Sequence, residues 1–473
     1  MKHIHMIAVC GVGMAPLAVL LKEAGYHVTG SDTAAYPPMS DVLEAAGIEI
    51  LKGFDPARLE PAPDLVVVGN AVPATNVEAA AAEEAGLERM SLPEAVSDFF
   101  LNQRRSLVVA GTHGKTTTTG MLAKALQVAG LDPGYLVGGL VRDLGKLANR
   151  GSGEFFVIEG DEYDSAYFDK GPKFLHYQPS AAIVTSLEFD HADIYRDLDH
   201  VKSSFRRLAE IMPVDAPLVC CADHPDLIET LAGAGGGRIL TYGSGDSGDG
   251  GDRRWVLADV RSDTRGMSAR IYRSGRCEYE LRVGLFGKMN LLNALAVYAL
   301  CRELGIDRDA VKRALAGFRG AARRQQLLVD GDIAVVDDFA HHPTAIEATL
   351  DSLRARFPGR RLCSVFEPRS NTSRRAVFQQ RFADALSRAD TAVVSAVYAK
   401  PNDPLAADEM LSTERLVAEL QRRGLSAWTA DGPESIYERL VTELEAGDVV
   451  VCMSNASFGG LARRLAGTFG GNR

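Results

Sequence analysis

The residues with the clearest chemical meaning in this chain lie at 111–119 and read Gly-Thr-His-Gly-Lys-Thr-Thr-Thr-Thr. They follow an apolar run at 107–110 that is typical of a buried strand, and apolar residues at helical spacing come after them. In such a turn, backbone N–H groups can cradle a polyphosphate, Lys115 can reach its outer phosphates, and Thr116 can ligate Mg²⁺. The usual pattern has a glycine where this chain has Val109. A turn capped only by threonines is the alternative, but it leaves the lysine unexplained. The stretch predicts ATP binding.

Two more predicted strands, at 155–158 and 181–185, lead into groups that can bind a cation. The first is followed by the acidic stretch 159–164, which starts with Glu159, and the second by 188–193, which contains His191. The carboxyl ends of parallel strands share one edge of a sheet, so these groups can converge beside Lys115. Hard oxygen ligands suit Mg²⁺, and a neutral imidazole could complete a second site. Either stretch alone could be a solvated acidic loop, and spacing does not say which carboxylate ligates.

Two polar stretches near the C-terminal end of the chain also follow predicted strands. The stretch 337–344 reads Asp-Asp-Phe-Ala-His-His-Pro-Thr; helix capping explains its aspartates and threonine but not its paired histidines. The stretch 366–375 contains Arg369, whose guanidinium could clamp a carboxylate or a phosphate bidentately. A basic surface turn is an equally good interpretation of those arginines.

A weaker signal lies at the N-terminal end. The turn at 10–16 contains Gly11 and Gly13 and resembles a dinucleotide-binding loop without its third glycine. Asp32 ends the next predicted strand, where such folds place a carboxylate that binds ribose. A packing turn and a helix-capping aspartate would explain the same residues, but we favour a nucleotide or nucleotide-sugar ligand.

The elements that position these groups indicate an α/β protein of three domains. Predicted strands alternate with helices at 1–104 and again at 320–473, which is typical of Rossmann-like parallel sheets. Between them, residues 105–319 form a predicted central α/β domain of the P-loop ATPase type. The stretch 243–252 is rich in Gly and Asp and is predicted to be a flexible surface excursion, since it cannot contribute to a core.

Composition narrows the classes of function. The 473 residues are 46% hydrophobic and 24% charged, as in ordinary soluble proteins. A net charge of −10 argues against a nucleic-acid partner. Seven scattered cysteines suggest reduced thiols, and no apolar run is long enough for membrane insertion. We therefore expect a cytoplasmic protein, either a monomer or a homodimer.

Taken together, these motifs resemble the Mur ligase family, the ATP-dependent amide-forming enzymes of peptidoglycan assembly. The match extends nearly end to end: 111–118 is similar to the family's ATP loop, and the Glu159 and His191 stretches are similar to its metal motifs. The stretches 4–13 and 337–344 look most like the members that use UDP-N-acetylmuramate. One such member adds L-alanine; the other adds the tripeptide L-alanyl-γ-D-glutamyl-meso-diaminopimelate and serves peptidoglycan recycling.

The stretches 159–164, 366–372 and 453–460 resemble the tripeptide-adding member more closely. The resemblance thus implies a ligase that joins UDP-N-acetylmuramate to the tripeptide through an acyl phosphate and releases ADP and phosphate. The L-alanine ligase is the nearest alternative. A protein that hydrolyses ATP only to change shape is an alternative of a different class.

The resemblance also implies roles for individual residues. ATP would contact Gly111, Thr112, His113, Gly114, Lys115, Thr116, Thr117, Asn290, Asn293, Arg324 and Asp338. The UDP-sugar would contact Gly11, Gly13, Asp32, Asn70 and His176, and the acceptor Arg369, Asn371 and His341. Mg²⁺ would be held by Thr116, Glu159 and His191, and the catalytic groups would be Lys115, Glu159, His191 and Arg324.

Overall fold

Three separate β-sheets organise the chain and confirm the predicted three-part α/β architecture. The computed structural model describes residues 1–35, 37–245, 255–399 and 405–471. Most of the predicted stretch 243–252 lies outside the described residues; Gly243 and Ser244 end a strand.

The N-terminal sheet has five parallel strands in the order β3-β2-β1-β4-β5. Its strands are β1 (His3–Ile7), β2 (His27–Asp32), β3 (Ile50–Lys52), β4 (Leu65–Val68) and β5 (Arg89–Ser91). The helices of this region are α1 (Met14–Glu23), α2 (Met39–Ala45), α3 (Val77–Glu84) and α4 (Leu92–Val96), followed by a short π-helix, Ser97–Leu101. Strand β4 is fully buried, as a central strand covered by helices on both faces must be.

The central sheet has ten strands in the order β15-β14-β13-β12-β11-β10-β6-β9-β7-β8. Its strands are β6 (Arg105–Ala110), β7 (Gly134–Leu136), β8 (Ala148–Asn149), β9 (Phe155–Gly160), β10 (Ala181–Val184), β11 (Pro217–Cys221), β12 (Arg238–Ser244), β13 (Trp255–Asp263), β14 (Gly266–Arg273) and β15 (Arg276–Val283). The strands from β12 through β7 are parallel, whereas β13, β14 and β15 form an antiparallel extension that the sequence did not predict.

The helices of the central region place the phosphate loop beside its partners. They are α5 (Lys115–Val128), α6 (Leu198–Glu210), α7 (Pro225–Ala232), α8 (Lys288–Glu303) and α9 (Arg308–Ala316). Helix α8 packs against α5, α9 and the strands from β10 to β15, which is why it is buried from Leu291 to Cys301. Asn290 and Asn293, in its first two turns, line the same cleft as the N-terminus of α5, and Asn293 contacts Gly114.

The C-terminal sheet has six strands in the order β16-β17-β21-β18-β19-β20. Its strands are β16 (Gln326–Val329), β17 (Ala334–Asp338), β18 (Arg361–Phe366), β19 (Thr391–Ser395), β20 (Ser426–Ala430) and β21 (Asp448–Met453). Only the edge strand β16 is antiparallel to its neighbour. The helices are α10 (Pro343–Arg356), α11 (Gln379–Leu386), α12 (Thr413–Arg422), α13 (Pro433–Glu443) and α14 (Leu461–Phe469).

Short 3₁₀ helices connect several of these elements: Pro56–Leu59, Lys173–His176, Ala376–Phe378, Ala407–Glu409 and Phe458–Gly460. Across the described ranges, none of the helices has the length and apolar character needed to cross a membrane.

Candidate active site

A cleft of about 750 Å³ contains most of the residues singled out from the sequence. Its lining comes from all three sheet regions, with Val12 and Gly13 from the first, Thr112–Thr117 from the second, and Arg369 from the third. The carboxyl ends of β1, β6, β9, β17 and β18 all lead into stretches that reach it. This is the edge of a parallel sheet where ligands normally bind.

The phosphate loop has the backbone that its sequence predicts. Gly114 is the N-cap of α5 with φ +83°, a left-handed conformation that costs little only for glycine. A Cβ added to Gly114 would lie 2.9 Å from Oδ1 of Asn293, so the Asn293 side chain would have to shift. The free N–H groups of the first turn of α5 thus begin directly at the cleft, in the arrangement that binds phosphate.

Lys115 is held at the mouth of this helix by carbonyl and carboxylate oxygens. Its ammonium donates to the carbonyl of Gly111 at 2.7 Å and to Oε2 of Glu162 at 2.8 Å, and Asp161 lies 4.0 Å away. Burial by itself lowers the pKa of Lys115, but the attraction of Glu162 and Asp161 is stronger and raises it. The lysine therefore stays charged in the cleft.

Two anchors of this network, Glu162 and Lys173, were not assigned roles from the sequence. Lys173 donates to Oδ2 of Asp161 at 3.0 Å and lies 4.3 Å above the ring of Tyr163. Tyr163 also donates to Asp161, at 2.8 Å. For Glu162 the signal was the acidic stretch 159–164, which did not reveal which of its members would face the lysine.

Glu159 and Thr116 come together as the sequence predicts. The Thr116 hydroxyl donates to Oε2 of Glu159 at 3.1 Å, and the N–H of Gly138 donates to Oε1 at 2.6 Å. Burial and the charge of Asp161 raise the pKa of Glu159 despite nearby Lys115 and Arg324. A buried carboxylate next to a second one is a site that a divalent cation would stabilise.

His191 lies on the same side of the cleft, at φ +51°. Its Nε2 is 3.7 Å from Oε1 of Glu162, a buried oxygen that has no hydrogen-bond partner among the described residues. The ring of Tyr163 packs 4.9 Å from the imidazole, centroid to centroid. The donors around Glu159 and His191 are carboxylates, a hydroxyl and an imidazole, which fits a divalent cation.

From the C-terminal region, Arg324 and Asp338 approach the phosphate loop. Nη2 of Arg324 lies 3.4 Å from the hydroxyl of Thr116, and its guanidinium stacks 4.3 Å above the ring of Phe339. Asp338 accepts bonds from the N–H groups of Gln325 and Ala340, both at 2.6 Å. The aspartate therefore holds the turn that presents Arg324, in addition to facing the cleft.

Arg369 and Asn371 line the far side of the cleft. The Arg369 guanidinium lies 3.7 Å above the ring of Tyr398 and 3.4 Å from Oε1 of Glu367. The Asn371 amide donates to Oδ2 of Asp193 at 2.6 Å, so it connects the C-terminal region to the central one. His341 also lines the cleft; its Nδ1 is 2.9 Å from the carbonyl of Phe339, and burial lowers its pKa.

The residues predicted to contact a UDP-sugar are more dispersed. Gly13 lines the cleft, whereas the described lining does not include Gly11, Asp32, Asn70 or His176. Asp32 accepts the N–H of Cys10 at 2.9 Å, Asn70 is exposed after β4, and Nε2 of His176 lies 3.0 Å from Asp169. The UDP-sugar contacts of these four residues stay predictions.

The fold and the site define a nucleotide-dependent α/β protein in which a phosphate-loop region is flanked by two Rossmann-like regions. Residues 3–104 match the catalytic domain of the Mur ligase family, 109–301 the Mur ligase middle domain, and 323–456 the Mur ligase glutamate ligase domain. The chain belongs to the Mur ligase family, whose members are ATP-dependent amide-forming ligases.

Individual relatives are similar over nearly the whole chain. A UDP-N-acetylmuramate–L-alanyl-γ-D-glutamyl-meso-2,6-diaminoheptandioate ligase from Haemophilus influenzae is 38% identical over 98% of both chains. A UDP-N-acetylmuramate–L-alanine ligase from Methylococcus capsulatus is 35% identical over 98% of this chain and 96% of its own. The crystal structure of a murein peptide ligase from Psychrobacter arcticus is 34% identical and matches with a TM-score of 0.74, covering 100% of both chains.

Proposed function

We propose that this chain joins UDP-N-acetylmuramate to the tripeptide L-alanyl-γ-D-glutamyl-meso-diaminopimelate at the expense of ATP. The observation that carries the proposal is a cleft to which all three regions contribute and whose lining includes both Lys115 and Arg369. A ligase needs such a cleft because three substrates must meet there. The names of the relatives from Haemophilus influenzae and Psychrobacter arcticus support the choice of substrates.

In the first step, the lactyl carboxylate of the UDP-sugar attacks the γ-phosphorus of ATP, forming an acyl phosphate as ADP leaves. Two anions must approach each other, so the positive groups of the cleft determine the rate. Lys115 is held within reach of the outer phosphates by Gly111 and Glu162. Arg324 supplies a second fixed cation from the C-terminal region, next to Thr116.

Mg²⁺ is the cation that we propose for Thr116, Glu159 and His191. When bound, it would neutralise phosphate charge and orient the γ-phosphoryl group. The hydroxyl–carboxylate pair, at 3.1 Å, and the unpartnered Oε1 of Glu162 beside His191 fit this assignment.

In the second step, the α-amine of the tripeptide attacks the acyl carbon and phosphate leaves. The residues that we propose for the acceptor are Arg369, Asn371 and His341. The Arg369 guanidinium lies 3.7 Å above the ring of Tyr398 and its side chain is 32% exposed, so it can clamp a carboxylate of the tripeptide. L-Alanine alone is too short to offer a second, distal carboxylate to this group.

Purified protein with ATP, UDP-N-acetylmuramate and either tripeptide or L-alanine provides the test. We expect a tripeptide adduct, identified by mass, and ADP release that requires both substrates. A product formed only with L-alanine would identify an alanine ligase. ADP release that is indifferent to the acceptor would instead indicate a nucleotide-gated switch.

A further inference from the structure

Three side chains outside the group proposed to hold Mg²⁺ meet between the central and C-terminal regions. His113 comes from the phosphate loop, Glu188 from the loop after β10, and His342 from the N-cap of α10. One ligand atom from each lies within 4.8 Å of the other two. We refer to His113, Glu188 and His342 as the interdomain triad.

The triad has the separations of a set of metal ligands. Oε2 of Glu188 is 3.8 Å from Nε2 of His113 and 3.7 Å from Nδ1 of His342. Ligands about 2.0–2.2 Å from one ion lie about 3.4 Å apart in a tetrahedral site. The two separations from the carboxylate exceed this by about 0.3–0.4 Å, and the imidazole centroids are 4.9 Å apart.

The imidazoles of the triad also lack partners. His342 is 1% exposed, and neither of its ring nitrogens has a hydrogen-bond partner among the described residues; Nε2 of His113 has none either. Buried polar atoms without partners are costly, and an ion is one of the usual reasons why a protein retains them. Two of these nitrogens, Nε2 of His113 and Nδ1 of His342, face the Glu188 carboxylate, an arrangement that a cation would satisfy.

Two neighbours compete for the carboxylate. The hydroxyl of Thr344 donates to Oε2 of Glu188 at 2.7 Å, and Nη2 of Arg381 lies 3.6 Å from the same oxygen. The Arg381 side chain is 51% exposed, so it can turn into solvent when another cation arrives. These contacts hold the Glu188 carboxylate in place. They give no hydrogen-bond partner to Nε2 of His113 or to the ring nitrogens of His342.

We propose that the interdomain triad binds a borderline transition-metal ion of the Zn²⁺ class, separately from the Mg²⁺ ligands Thr116, Glu159 and His191. Two imidazoles and one carboxylate are a preferred ligand set for Zn²⁺ and a poor one for Mg²⁺, which takes oxygen ligands. Three protein ligands leave a position that solvent or a phosphate oxygen can occupy, since His113 and His342 both line the cleft.

The ion would fasten the C-terminal region to the phosphate loop. His342 begins α10 in the C-terminal region, whereas His113 and Glu188 belong to the central region. Occupancy of the triad therefore favours the closed arrangement of these regions. Excess Zn²⁺ should slow product release, because release requires the regions to separate.

Binding of Co²⁺, a spectroscopic substitute for Zn²⁺, provides the test. The full-length protein, free of transition metal, is titrated with Co²⁺ in a large excess of Mg²⁺, which occupies the oxygen-rich sites. We expect about one equivalent to bind with the visible absorption of a low-symmetry site. His342→Gln and Glu188→Gln should each weaken this binding by roughly 100-fold or more, since each removes a direct ligand.

His200→Gln serves as the matched control, because His200 is another partly buried histidine with an unpartnered Nδ1 but lies on α6, outside the triad. It should bind Co²⁺ like the parent, and so should His191→Gln. Thermal unfolding of each metal-free variant shows that it is folded, and His113→Gln replaces any variant that is not. The proposal is overturned if the parent binds no Co²⁺ under excess Mg²⁺, or if binding disappears in His191→Gln but persists in the triad variants.

Discussion

Two turns of this protein have the same local design and different electrostatics. The turn after β1 leads into α1, and the turn after β6 leads into α5; both contain glycines and both reach the cleft. In the first, Gly13 is the N-cap with φ −91°, and no lysine follows it. In the second, Gly114 has φ +83° and is followed by Lys115. The carboxylates of Glu162, Asp161 and Glu159 lie near this lysine and raise its pKa.

This difference shows what each turn can do. The first offers only backbone N–H groups and the weak positive end of a helix, which is enough to hold a ligand. Asp32, the carboxylate nearest this turn, accepts the N–H of Cys10 and so stabilises the turn itself. The second turn adds a largely buried, charged lysine, and it lies beside Thr116, Glu159 and His191, the groups proposed for a divalent cation. Binding can use both turns, but only the second is equipped for phosphoryl transfer.

Removing the lysine should have the largest effect. Lys115→Ala should lower the ligation rate by roughly 10³-fold, because it deletes the fixed positive charge at the phosphates. Lys124→Ala is the matched control: it lies on the same helix, and its ammonium is 3.5 Å from Asp143 rather than in the cleft. Turnover rates of Lys115→Ala and Lys124→Ala, each compared with the parent, test this prediction. Similar rates for both variants would mean that the two turns do not differ as described.

The metal requirement should depend on the groups beside the second turn and not on the first turn. Glu159→Gln and His191→Gln should each raise the Mg²⁺ concentration for half-maximal activity by about 10- to 100-fold, since each removes a proposed ligand. Asp32→Asn alters the carboxylate at the first turn and should leave that concentration unchanged. Activity measured across a Mg²⁺ titration distinguishes the two ligand variants from Asp32→Asn. A shift in Asp32→Asn as large as in Glu159→Gln would contradict the comparison.

The positively charged side chain proposed to bind the acceptor, Arg369, lies outside both turns. Arg369→Ala should raise the KM for tripeptide by roughly 10- to 100-fold, because a charge-assisted pair contributes about 1.5–3 kcal/mol. The KM values for ATP and UDP-N-acetylmuramate should change much less. Arg369→Lys should recover part of the loss, since lysine keeps the charge but not the planar fork.

Steady-state kinetics with each substrate varied in turn tests this assignment. Arg415→Ala, on the exposed side of α12, is the control and should behave like the parent. If Arg369→Ala weakens all three substrates equally, Arg369 supports closure of the cleft rather than binding of the acceptor.

The smallest predicted effect is the difference in kcat/KM for ATP between two glycine substitutions, one in each turn. Gly114→Ala forces a left-handed alanine, at a cost of roughly 1–2 kcal/mol, and adds a Cβ 2.9 Å from Asn293. It should lower kcat/KM for ATP by about 10-fold or more. In Gly11→Ala the new Cβ would be 3.4 Å from Cγ of Met14, and φ is not positive there.

Gly11→Ala should therefore change kcat/KM for ATP only slightly, and any effect should be on UDP-N-acetylmuramate. Thermal unfolding of both variants separates loss of stability from loss of binding. If Gly11→Ala lowered kcat/KM for ATP more than Gly114→Ala does, ATP would bind at the first turn rather than at the second.

The sequence determined the local architecture because short-range patterns specify it. The predicted strand 155–158 is apolar and bounded by Glu154 and Glu159, and it forms most of β9. The strand–turn–helix around Lys115 also forms as predicted, since a glycine turn between a buried strand and an apolar-faced helix has few other solutions. By contrast, the antiparallel strands β13 to β15 were missed, because their exposed residues hide the apolar alternation.

Only the tertiary structure decided which distant groups meet. Glu162 rather than another acidic neighbour takes the bond from Lys115, and Tyr398 lies under Arg369. His113, Glu188 and His342 come from three separate stretches, and no pattern in any one of them predicts the others. Local propensity and periodicity act over a few residues, whereas these contacts depend on how three sheets pack against one another. The sequence determined which chemical groups each turn carries. The packing of the three regions determined which of these groups come into contact.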